Sequence, residues 1–241
     1  MKKLFLIFLI AINGNLISQN TLSQTREYLS SLKEVQEISK LKSKKFKDFE
    51  IITTFTELDR KIDFGYKHHR ILVMPYSGSD LKINFISYNN KIVVGWISEN
   101  SVSKGILNTE YFKSNDSFIE DYITKHNKFY NTNFRKEDFD KEILNEYTVG
   151  FGCGMAGTEI PDISEKTLKL IERGSIKKLN SFLRSISPEV QTLGAIGILR
   201  IGKINKEQRK IIDHLKMRNS KVYSCSGCIY DGERNFIDLL R

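Results

Sequence analysis

LKINFISYNNKIVVGWI, residues 81–97, decides the fold class of this chain. In its first arm Leu81, Ile83 and Phe85 alternate with Lys82 and Asn84. That two-residue period belongs to a strand with one face buried. The second arm carries Ile92, Val93, Val94, Trp96 and Ile97, which are β-branched or aromatic. Between the arms stand Asn89 and Asn90. Asparagine tolerates the positive φ angles that a two-residue hairpin turn demands. The stretch therefore predicts an antiparallel hairpin. Two strands alone are marginal in water, so the sheet must gain further strands or a helical cover.

Both flanks supply candidates. A short strand is expected around Ile71–Met74, stopped by Pro75 and the polar run Ser77-Gly78-Ser79-Asp80. Another is expected near residues 102–107. Upstream, Leu22, Leu29, Leu32, Val35 and Ile38 recur at near-helical spacing, which predicts an amphipathic helix over Ser23–Lys42. Downstream, Ser117 opens a helix bearing Phe118, Tyr122 and Ile123, and residues 137–147 carry Phe139, Ile143 and Leu144. The expectation is an α+β domain over residues 19–150, a small antiparallel sheet with flanking helices.

Residues 161–220 read as a short bundle of about four helices. Asp162 with Glu165 has the spacing of a capping box, and Gly174 ends that helix. A second runs from Ile176 to about Ile186. Ser187-Pro188 starts a third, with serine as cap and proline at the first helical position, and Gly202 stops it. Asn205 with Gln208 caps the fourth. The glycines at 174 and 202 are framed alike, as IERG-SI and LRIG-KI. With SPEVQTLGAIGILRIG (187–202), residues 163–217 resemble HEAT-type helical repeats, in which a helix rich in small residues packs flat against its neighbour. The resemblance implies paired helices and a recognition role.

Residues 151–160 form a glycine-rich joint, and residues 221–241 a cysteine-containing tail. The three cysteines are Cys153, Cys225 and Cys228. A long-range bridge from Cys153 to Cys225 or Cys228 would close a loop of about 70 residues and stabilise by about 4 kcal/mol through loop closure. A local Cys225–Cys228 bond, a redox pair and a zinc site with His214 as fourth ligand are the alternatives. CSGC lacks the strand–helix setting of a thiol oxidoreductase. Gly152, Gly154 and Gly157 fit G-x-G-x-x-G, but Pro161 follows and no βαβ unit surrounds them. His68 and His69 point to opposite faces of a strand and make a poor joint metal site. Asp59, Asp63, Asp80 and Glu99 are scattered carboxylates whose meeting in space would be needed for hydrolysis.

The first residues, MKKLFLIFLIAINGNLISQN, place two lysines before nine apolar residues. That order is expected of a signal peptide, read here as residues 1–18. The apolar run is too short for a membrane span. Losing Lys2 and Lys3 with the leader changes the formal charge from +9 to +7. The 38 basic residues are interspersed with 29 acidic ones, and only Lys42–Lys47 is a dense run, so the pattern is not that of a nucleic-acid binder. No cofactor and no catalytic residue is expected. The reading is an exported, periplasmic or secreted, non-catalytic binding protein whose partner is another protein or an anionic envelope component. The rival is an exported hydrolase acting on an envelope polymer or peptide.

Overall fold

The computed structural model describes residues 20–240 apart from residues 102, 104, 155 and 228. The leader expected over residues 1–18 and the third cysteine, Cys228, lie outside the described residues. The chain is α+β and divides into two compact units. Unit 1 holds the chain up to Asp59 and Tyr66–Asn115, and unit 2 holds Arg60–Gly65 and Asp116–Arg241.

Unit 1 is built on an antiparallel sheet of five strands in sequence order: β1 (Ile51–Lys61, its last two residues in unit 2), β2 (Lys67–Pro75), β3 (Asp80–Tyr88), β4 (Lys91–Ser101) and β5 (Gly105–Lys113). The β3–β4 hairpin turns at Asn89 and Asn90, with φ of 48° and 65°. Register Ile83↔Ile97 and Phe85↔Gly95 puts Leu81, Ile83 and Phe85 on the core face with Ile51, Val73 and Ile97. Gly95 is needed because the Phe112 ring of β5 lies over it, where a β-carbon would stand.

A helix, α1 (20–30), packs Leu22 and Leu29 into the same core. The long helix expected to Lys42 breaks here. Residues 33–35 leave helical geometry to join the hairpin: Ile92 N donates to Lys33 O at 2.8 Å and Val35 N to Asn90 O at 2.9 Å. A 3₁₀ turn, Val35–Leu41, follows, and Glu37 accepts from the backbone N–H groups of Lys33 and Glu34. The apolar spacing persists through the break, because Ile38 and Leu41 still reach the core.

Unit 2 contains α2 (Asp116–Tyr130), α3 (Lys136–Leu144), α4 (Asp162–Glu172), α5 (Ile176–Leu183), α6 (Pro188–Ile201) and α7 (Lys206–Arg218), then a hairpin of β6 (Lys221–Ser226) and β7 (Ile229–Asn235), and a short α8 (Phe236–Leu239). The helices over 114–146, grouped by sequence with the sheet, sit in the helical unit. His126 of α2 reaches the Ser185 carbonyl, and Tyr130 belongs to the core that contains Leu183, Leu193 and Leu215. α6 is buried over almost its whole length and packs on α4, α5 and β6. Gly194 permits this, since a β-carbon there would meet the Leu183 backbone of α5. Gly202 ends α6 at φ 75°, and the Asn205–Gln208 box caps α7. At α4 the expected box does not form. Pro161 is the cap, so Asp162 is already helical. The expected tail is instead the β6–β7 hairpin with α8.

Candidate binding groove

Residues 149–153 run beside β6 in parallel. Val149 N donates to Tyr223 O at 2.9 Å, Cys225 N to Val149 O at 3.0 Å and Gly227 N to Gly152 O at 2.7 Å. This alignment brings Cys153 to Cys225, with Cα atoms 5.5 Å apart and 72 positions between them in sequence, and the two form a disulfide. Gly150 makes the approach possible, because a β-carbon there would collide with both sulfurs. The G-x-G-x-x-G letters form a tight turn, with Cys153 and Glu159 exchanging backbone hydrogen bonds and Gly157 N donating to Gly154 O. α4 begins only at Asp162, so the glycines do not open a helix.

An open groove of about 560 Å³ lies against this bond. That volume is within the range of ligand pockets. One side is the backbone of Gly150–Gly152 with Phe151 and Cys225. The facing side is apolar, from Ile196 and Leu199 of α6 and from Leu239 and Leu240 at the C-terminal turn. Two cations enter it, Arg200 at the end of α6 and Arg234 on β7, and no carboxylate lines it among the described residues. The Arg200 guanidinium lies over the Phe151 ring, 4.7 Å from its centre. A guanidinium seated on an aromatic face keeps its N–H donors for a planar anion. Neither arginine is in an ion pair with a described residue.

Three other clusters compete for attention. On the sheet, His69 Nε2 is 2.8 Å from Ser87 Oγ, and His69 Nδ1 is 3.6 Å from the Asp59 carboxylate. The trio has the order of a charge relay. Yet Ser87 and His69 are only 3% and 6% exposed, and the imidazole is stacked on Phe85 at 4.5 Å. A scissile carbonyl has no approach to Ser87 Oγ. Burial also pushes the His69 pKa down, against the pull of Asp59. Sequence reasoning missed the trio because its members lie on three strands, and the β2–β3 register sets Ser87 diagonally across from His69, which pairs with Phe85.

The second cluster is buried in unit 2. Asp63 is held by His214 Nε2 at 2.9 Å, Arg218 at 2.7 Å and the Tyr130 hydroxyl at 2.9 Å. Burial alone would raise its pKa, but the Arg218 charge and the His214 bond overcome this and hold the carboxyl well below the usual range. Phe64, at φ 62°, and Gly65, at φ 83°, turn the chain just after Asp63. The third is a buried ion pair of Arg60 with Glu189, which also accepts from Tyr223 N at 3.1 Å. These two clusters are closed charge networks rather than open sites.

The three described residues of the zinc alternative are not available as a set. Cys153 and Cys225 are bonded to each other, and His214 is committed to Asp63. Among the described residues no group of three His, Cys, Asp or Glu side chains could hold a metal ion. Asp63 is bound as above, and Glu99 accepts from Asn108 at 3.0 Å. Trp96 is buried against Tyr111, and Tyr88 packs on Tyr66.

No protein-family model, curated protein or solved structure matches the chain. The groove residues Arg200, Arg234 and Phe151 were not singled out by sequence. The only signal was indirect: CSGC and GFGCG had to meet if a long-range bridge formed, and a groove beside that bridge would draw on α6.

Proposed function

We propose that this chain is an exported, non-catalytic binding protein that engages its partner in the groove beside the Cys153–Cys225 bond. One observation carries the reading: a groove with one apolar wall holds two arginines with no ion-pair partner among the described residues. Unpaired cations beside apolar surface suit a ligand that brings an anion and a greasy segment together. The disulfide supports an oxidising compartment, periplasmic or extracellular. Among the described residues no helix is long and apolar enough to cross a membrane. α6, packed on α4 and α5, supplies one wall of the groove.

The experiment has two arms. Fractionation with intact-mass measurement should find the chain outside the cytoplasm, lacking its leader and carrying one disulfide. A photo-crosslinker in place of Leu199 should trap one discrete partner in the envelope, and the same group at exposed Tyr76 should not. A cytoplasmic, fully reduced chain, or identical trapping at both positions, refutes the reading.

The hydrolase alternative rests on Asp59, His69 and Ser87. Their burial argues against it. A fluorophosphonate probe should leave the folded protein unlabelled, and stoichiometric modification of Ser87 would reinstate the enzyme.

A further inference from the structure

The geometry points to a more specific occupant: the groove captures the C-terminal end of an apolar polypeptide segment, its free carboxylate held by Arg200 and Arg234. This rests on the groove being the recognition surface and adds the class of ligand.

Charge selects an anion. Among the described residues the groove contains two guanidinium groups and no carboxylate, on a chain whose formal charge is +9. Arginine presents a planar fork of N–H donors that matches a carboxylate bidentately. Stacking on Phe151 fixes the plane of the Arg200 fork before a ligand arrives, so less side-chain freedom is lost on binding.

The apolar lining selects what is attached to that anion. Ile196, Leu199, Leu239 and Leu240 face the same space and are partly or fully buried. They would gain by covering apolar side chains at roughly 25 cal/mol per Å².

The backbone decides between a peptide and an alkyl chain. The Gly150–Gly152 segment presents main chain to the groove with little side-chain cover. Phe151 N–H and C=O make no hydrogen bond to a described residue. A donor and an acceptor on one residue match the main chain of an extended segment. A lipid tail offers neither.

The test uses the purified, oxidised full chain and fluorescence anisotropy. The probes are a labelled pentapeptide ending in leucine and valine with a free carboxylate, its C-terminal amide, and a fluorescently labelled dodecanoate. The free acid should bind, and the amide at least about tenfold more weakly, which is a loss of about 1.4 kcal/mol. Arg200→Gln and Arg234→Gln should each weaken the acid by about tenfold and leave the amide unchanged. Both side chains are exposed. An unaltered free-thiol count would show that the fold is kept. Equal binding of acid and amide, no binding of the acid at millimolar concentration, or arginine variants without effect overturns the inference. So does direct binding of the labelled dodecanoate in a groove that ignores the peptides. If the Leu199 crosslink still traps a partner in any of these cases, the groove keeps its role and only the ligand class falls.

Discussion

At Gly150 a hydrogen atom stands where any other residue would place a carbon against both sulfurs of the disulfide. The glycine is thus a steric condition for the Cys153–Cys225 bond. With three cysteines and one bridge, the folded protein should titrate one thiol under denaturing, non-reducing conditions, and Gly150→Ala should titrate three. Losing a bond that closes 72 positions should cost about 4 kcal/mol in a denaturant melt. One free thiol in the alanine variant would show that the backbone gives way instead. The cysteines themselves were legible in the sequence, although spacing left their pairing open. Gly150 was not, because the sequence offers Gly150, Gly152, Gly154 and Gly157 as equals. Which one faces the sulfurs depends on how residues 149–153 lie along β6. His69 and Ser87 were hidden for the same reason, since contact across strands follows register and not separation.

Elements were more legible where a local signal sets both ends. The β3–β4 hairpin has its alternation and its asparagine turn, and α6 has Ser187-Pro188 and Gly202. Where a tertiary bond competes, the local signal fails. The helix expected to Lys42 yields to the pairing of Lys33 and Val35 with the hairpin, and the mixed polar sequence of β1 gave no clear period. The β6–β7 hairpin was read as tail because its strand residues are polar, and it acquires structure by alignment with residues 149–153. The packing of α5 on α6 gives a sharp prediction at this scale. Alanine is the better helix former by about 1 kcal/mol, so Gly194→Ala should stabilise an isolated helix. In the protein its β-carbon would strike the Leu183 backbone, and the helices must separate. Equilibrium unfolding should show a net loss of about 1–3 kcal/mol. A gain in stability would mean that α5 and α6 do not touch there.

For the molecule as a whole, the buried titratable groups make acid the condition under which folding weakens. His126 lies in α2 near Asp63 and Arg218, with its Nε2 3.3 Å from the Ser185 carbonyl oxygen. Burial is the chief cause that pushes its pKa from 6.5 down to about 4, although Asp63 and the Ser185 carbonyl pull the other way. His69 in unit 1 is shifted in the same direction, again by burial. For a lowered folded pKa the unfolded chain binds the proton first. The stabilisation from neutral His126 is therefore complete above pH 6.5 and is lost as pH falls from there to about 4. The displacement corresponds to about 3 kcal/mol. Asp63 and Glu189 act later. Their folded pKa values are also lowered, because Arg218 and Arg60 outweigh the cost of burial, so their contribution persists above the ordinary carboxylate range and is lost below it. Urea melts at pH 7.5, 5.5, 4.5 and 3.0 should thus show stability falling in two stages, the histidine stage above pH 4.5 and the carboxylate stage below it. His126→Gln should remove most of the fall between pH 7.5 and 4.5 while leaving the carboxylate stage in place. If stability is flat across that interval, or if His126→Gln retains the full slope, the imidazole is not held neutral by the core, and the packing of α2 against Ser185 is wrong.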